Sequence, residues 1–159
     1  MATYEANIRW QRRRDERFTD GRYSRAHEWL FDGGARVHAS ASPHVVRVPF
    51  SDPSGVDPEE AFVAALASCH MLFFLALAAK QGFEITTYED SAVGLMSKTG
   101  DGREWMTKVT LRPRVAFAGD KRPTAEDIEA LHHEAHMACY IANSVKTEIA
   151  IEGQAEGLR

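Results

Sequence analysis

An α+β fold, with antiparallel sheets around one long, buried central helix, is what this 159-residue chain predicts. Three observations carry that expectation. The run Ala61–Ala79 holds no charged residue, β-compatible segments of alternating pattern lie on both sides of it, and a second helical segment follows late in the chain. No internal repeat, low-complexity tract or linker divides the sequence, so residues 1–159 are expected to form a single domain.

The elements follow in order. Ala6–Arg12 and Arg25–Phe31 have short strand patterns, and Asp32-Gly33-Gly34 reads as a tight turn leading to Arg36–Ser40. Pro43, Pro49, Pro53 and Gly55 then break the chain into a loop. Asp57, Pro58 and Glu60 form a helix start: a capping side chain, a proline at the first helical position and a reciprocating glutamate. Gln81-Gly82 supplies the stop, giving a helix over 58–81 of about 36 Å at 1.5 Å per residue. Phe83–Leu95 and Met106–Phe117 read as a hairpin around Thr99-Gly100-Asp101-Gly102. Thr124 and Asp127 open a second helix from Ala125 to about Tyr140, and Val145–Ile151 is a closing strand.

Composition narrows the function. Hydrophobic content of 44% with 26% charged residues is that of a globular protein, and a net charge of −4 offers nucleic acid no electrostatic footing. Ala61–Ala79 is long enough to consider as a membrane span. Ser68, Cys69 and His70 at its centre and its alanine content argue for a helix buried in a fold, so no membrane is expected. MATYEANIRWQRRRDERF has no apolar core of signal-peptide length, and two cysteines are too few for a disulfide scaffold. A reducing cytoplasm is the expected location.

The chemistry centres on the two thiols, Cys69 in the long helix and Cys139 near the end of the second. A lone thiol in an apolar helix is usually a small core residue. Two thiols on separate rigid segments, with Glu59 at the start of the Cys69 helix, suit a redox pair better. Glu59 precedes Cys69 by nearly three turns, so the two project from similar faces about 15 Å apart. His132, His136 and Cys139 also share a face, but HHEAH has neither zinc-protease spacing, and no metal or other cofactor is expected. His70, turned about 100° from Cys69, reads as core.

DPEEAFVAALASCH resembles the peroxidatic-cysteine helix of the OsmC/Ohr family of osmotically inducible and organic hydroperoxide resistance proteins, with its N-P-E-x-L…C pattern. ACYIANSVKTEIAI is similar to that family's second-cysteine segment, and the order of elements matches over most of the chain. The resemblance implies an interlocked homodimer. It also implies a thiol peroxidase in which Cys69 attacks an organic hydroperoxide and Cys139 resolves the sulfenic acid into a disulfide. A dithiol reductant, of lipoyl type in the hydroperoxide resistance branch, would then reset it. The family's thiolate is held by an arginine that the motif glutamate, here Glu59, orients; a planar guanidinium suits that bridging role. Gly21-Arg22-Tyr23-Ser24-Arg25-Ala26 resembles the hydroperoxide resistance branch's arginine segment, so Arg22 or Arg25 is favoured over Arg47, the position that the osmotically inducible branch would use. One departure stands out: Tyr140 follows the second thiol where the family's hydroperoxidases often have proline.

Independently of the resemblance, Phe62, Leu66, Met71, Phe73, Phe74 and Leu75 give Cys69 apolar surroundings suited to an organic tail, and the helix is too apolar for one thin sheet to cover, which suggests a homodimer. The competing reading is a protein with the same scaffold that binds a small apolar ligand or has another redox role, without efficient peroxidase activity.

Overall fold

A computed structural model describes residues 1–156 of the protein; of the domain expected over 1–159, the last three residues lie outside the described ones. The chain forms two compact units, Met1–Ala61 and the segment from Phe62 onward.

The first unit holds an antiparallel sheet of β1 (Ala6–Arg9), β2 (His27–Phe31) and β3 (Arg36–Ala39), in that order. Asp32-Gly33-Gly34 makes the expected turn, with Gly34 N–H donating to the Phe31 carbonyl at 3.0 Å. Both early strands are shorter than their sequence patterns. The Trp10 indole donates to the Ser24 carbonyl at 2.8 Å, and Trp10, Phe18 and Tyr23 pack with ring centroids 4.7 to 5.9 Å apart. That cluster draws residues 10–26 out of the ladder and into a loop with its own small apolar centre.

The long helix α1 (Pro58–Lys80) starts at the end of this unit as its sequence predicts. Glu60 N–H donates to Asp57 Oδ1 at 2.8 Å and Asp57 N–H to Glu60 Oε2 at 3.3 Å, a reciprocal cap. Gly82, at φ +78°, ends the helix in a backbone region that side chains disfavour.

In the second unit the single expected hairpin is two strand pairs in different sheets. β4 (Glu84–Asp90) pairs with β7 (Pro113–Ala118), and β5 (Val93–Lys98) with β6 (Glu104–Leu111), all antiparallel. The ribbon breaks at Ser91-Ala92 and at Arg112, where the Asp90 carboxylate accepts the Arg112 N–H at 2.7 Å and Pro113 starts afresh. A side chain thus takes the donor that a continuous ladder would have used.

Helix α2 (Ala125–Ala138) opens on the predicted Thr124–Asp127 capping box. A 3-10 turn, Ala142–Ser144, then delays the closing strand, so β8 is Glu148–Ile151 rather than Val145–Ile151. β8 pairs parallel with β6, and a short β9 (Gln154–Glu156), which the sequence pattern missed, pairs parallel with β7. The sheets are therefore β4-β7-β9 and β5-β6-β8, antiparallel pairs each extended by one parallel strand.

The core follows one stripe of α1. Leu66, His70, Phe74 and Ala78, four residues apart, are buried. Leu66 packs with Val109 and Leu111 of β6; Phe74 and Ala78 pack with Val115 and Phe117 of β7 and Ile128, Leu131 and Ala135 of α2. Each large side chain so buried contributes about 1.5–3 kcal/mol. The opposite side of α1 is open within one chain: Ser68, Leu72 and Ala76 are exposed, Leu72 at 60%.

Candidate active site

Two successive residues of α1 meet α2, one at its C-cap and one in its interior. Cys69 is half-buried, inside an unbroken helix as expected, and its thiol lies beside that of Cys139; both are free. Cys139 caps α2 with its N–H still bonded to the Ala135 carbonyl at 2.9 Å, and it is 1% exposed. The chain then curls back over it. Ala142 N–H donates to Cys139 Sγ at 3.4 Å, while the Cys139 carbonyl accepts Asn143 N–H and Nδ2 at 3.0 Å each. Burial, then the neighbouring Cys69 thiol, push the Cys139 thiol above its ordinary range, against the opposing pull of the Ala142 N–H. Tyr140, the departure from Cys-Pro, sets its ring edge-on against Phe73, centroids 5.1 Å apart. Phe73 is one turn beyond Cys69 on α1, so an aromatic pair stands beside the thiol pair.

His70 and His132 form the second meeting. Their rings stack within 11° of parallel, and His70 Nε2 lies 3.0 Å from His132 Nδ1. His70 is 1% exposed and His132 8%. Burial, together with the charges of His132 and His136, lowers His70 to about 4; burial lowers His132 to about 4. Both imidazoles are neutral at pH 7, so one donates its shared proton to the other. His70 Nδ1 and His132 Nε2 have no hydrogen-bond partner among the described residues.

The expected carboxylate and arginines sit in the first unit. Glu59 is half-buried and makes no ion pair among the described residues. Arg25 is committed locally: Nη1 donates to the Gly21 carbonyl at 2.7 Å and to that of Tyr23, and the guanidinium lies 3.8 Å above the Tyr23 ring. Arg47 leans toward Phe50 at 5.8 Å. The exposed Arg22 has a backbone bond to Asp20 Oδ1, and its guanidinium has no partner among the described residues. The structure therefore brings Cys69 and Cys139 together and, among the described residues, pairs Glu59 with no arginine. Among the described residues no three His, Cys, Asp or Glu side chains converge as metal ligands.

Sequence reasoning identified His70 as core and put His132 on the Cys139 face, but missed that the two meet. The signal was present in part: His70 occupies the i+4 series of Leu66, Phe74 and Ala78, so it had to face the core with some polar partner.

Comparison with known proteins bears on this arrangement. Residues 51–153 match the family model described as OsmC-like protein. Among solved structures, an OsmC-like protein of unknown function from Vibrio cholerae is 54% identical over 97% of this chain and 100% of its own, with a TM-score of 0.94. An organic hydroperoxide resistance protein from Elizabethkingia anophelis is 15% identical over 98% and 96%, TM-score 0.69. The organic hydroperoxide resistance protein OhrB of Bacillus subtilis is 18% identical over 98% of both chains, TM-score 0.60. At those identities the last two share the fold. No curated protein matches the sequence.

Proposed function

This chain belongs to the OsmC-like family, and from that premise we propose that it is a thiol-dependent peroxidase acting on organic hydroperoxides. The observation that carries the reading is the pair of free thiols lying side by side, one half-buried on α1 and one sealed at the cap of α2.

The Cys69 thiolate attacks the distal oxygen of R–O–OH. The S–O bond forms as the O–O bond breaks, giving Cys69–SOH and an alkoxide that takes up a proton to leave as R–OH. The Cys139 sulfur then attacks the Cys69 sulfenic sulfur, and hydroxide leaves with the Cys139 proton as water. The Ala142 N–H, already donating to Cys139 Sγ, favours the thiolate that this step needs. A dithiol, lipoyl-type in this reading, reduces the disulfide by exchange and is itself oxidised. Phe73 and Tyr140 supply an apolar wall for the organic group.

A cation is required to keep Cys69 as thiolate in such surroundings. Arg22 is the favoured residue, because its guanidinium has no partner among the described residues whereas that of Arg25 holds its own loop. Glu59 would orient it. The open apolar side of α1 supports a homodimer, with a second copy covering Leu72 and its neighbours. The reading assigns the protein to a reducing cytoplasm, where the thiol pair is regenerated.

The test is consumption of cumene hydroperoxide by the reduced protein against a Cys69→Ser variant. Consumption by the native protein alone supports the reading. Equal consumption by both defeats it in favour of a scaffold that binds a small apolar ligand or serves another redox role.

A further inference from the structure

Helix α2 ends on a side chain from beyond it. Cys139, at ψ 113°, turns the chain out of the helix, so the Met137 carbonyl loses the N–H four residues on that would have continued the ladder. Asn143 replaces it: Nδ2 donates to the Met137 carbonyl at 2.9 Å and to the Cys139 carbonyl at 3.0 Å. The Asn143 N–H adds a third bond, again to the Cys139 carbonyl, at 3.0 Å. Both side-chain partners are acceptors, so only the amide nitrogen serves them, and it has two N–H groups to do so. Within this clamp the Ala142 N–H lies 3.4 Å from Cys139 Sγ, and it and the Ile141 N–H both pull the thiol toward its charged form.

We propose that Asn143 is the positioning residue of the resolving step: by pinning the Cys139 carbonyl to the last turn of α2, it holds Cys139 Sγ between the Ala142 N–H and the Cys69 thiol. The inference rests on the peroxidase reading. In that step Cys139 Sγ gives up its proton and forms the S–S bond as the Cys69 S–OH bond breaks, and the proton leaves with the hydroxide as water. A sulfur whose orientation is fixed beforehand closes the disulfide faster, and holds it better, than one free to swing. Asn143 is itself exposed, so replacing it leaves the core untouched. Aspartate has its size and neither donor. Ser144 supplies the control, because it closes the same turn by other bonds. Its N–H donates to the Ile141 carbonyl at 3.0 Å and its Oγ to the Tyr140 carbonyl at 2.7 Å, and neither bond reaches Cys139.

Rapid-quench alkylation with mass spectrometry, after one equivalent of cumene hydroperoxide, separates the two steps. Asn143→Ala and Asn143→Asp should oxidise Cys69 at the native rate and close the disulfide about tenfold more slowly, the worth of one to two hydrogen bonds. A second measurement needs no peroxide. Equilibrated with reduced and oxidised dithiothreitol, which exchanges at the half-buried Cys69, both variants should hold the Cys69–Cys139 disulfide about tenfold less well than the native protein. Ser144→Ala should match the native protein in both measurements. Native closure rates in the Asn143 variants, an unchanged dithiothreitol equilibrium, or equal losses in Ser144→Ala would each overturn the role of Asn143. No oxidation of native Cys69 by the peroxide would overturn the peroxidase reading instead, and the dithiothreitol equilibrium then decides alone whether Asn143 positions Cys139.

Discussion

The thiol pair and the histidine pair start from neighbouring residues of α1 and reach the C-cap of α2 and its interior, and they differ in how far each is sealed. Cys69 stands half-open with Cys139 sealed behind it, where burial and then the Cys69 thiol raise the Cys139 thiol against the smaller pull of the Ala142 N–H. His70 and His132 are both sealed, and burial holds both neutral. One step of about 100° around α1 moves a side chain from the rim of the core to its centre. The lesson is that exposure, more than residue chemistry, separates a pair that a dissolved reagent can reach through one member from a pair closed on both sides.

The sharpest way to break the comparison is at the thiols. Cys69→Ser should reduce cumene hydroperoxide consumption to the buffer background with little change in the denaturation midpoint. Cys139→Ser should retain a single turnover, leaving a sulfenic acid on Cys69 that a cyclic 1,3-diketone traps and mass spectrometry detects. Iodoacetamide at pH 7 should label native Cys69 before Cys139, since Cys139 is 1% exposed and its thiol is raised. The reverse order of labelling would exchange the roles assigned to them.

A cation is the next largest lever. Arg22→Met should slow peroxide turnover roughly 10²-fold, as removal of one electrostatic donor does elsewhere. Arg25→Met should act instead on stability, because that guanidinium ties the Gly21 and Tyr23 carbonyls. If the two variants exchange effects, Arg25 is the thiolate's partner.

The histidines should answer in stability. His132→Ala removes a buried ring and leaves His70 Nε2 unpaired, a loss of about 2–5 kcal/mol in urea unfolding at pH 7. The pH dependence has a definite sign. Both folded values, about 4, lie below the ordinary 6.5, so between these the unfolded chain binds more protons. Stability should therefore be full above about 6.5 and fall as pH drops toward 4, by up to about 1.4 kcal/mol per pH unit for each histidine. Replacing the pair with His70→Phe and His132→Leu should flatten that slope; an unchanged slope would assign it to other groups. The smallest effect is at the helix start, where Thr124→Ala should cost about 1 kcal/mol by removing the cap of α2.

What proved legible in the sequence was local. Asp57, Pro58 and Glu60, Thr124 and Asp127, and Gly82 each act within four residues, and each starts or stops a helix where its spacing says. The uncharged run of α1, with strand patterns around it, was enough for the α+β class, and motifs around the two cysteines were enough for the family.

Only the tertiary structure decided the rest. The break of one ribbon into two sheets depends on Asp90 reaching the N–H of Arg112, and the parallel partners of β8 and β9 lie far back along the chain. His70 and His132 are 62 residues apart, and only the packing of α1 on α2 makes them a pair. Caps and turns are set by the chain's own immediate neighbours, so sequence determines them directly. Strand partners and buried polar pairs are set by which distant groups the core brings within hydrogen-bonding distance.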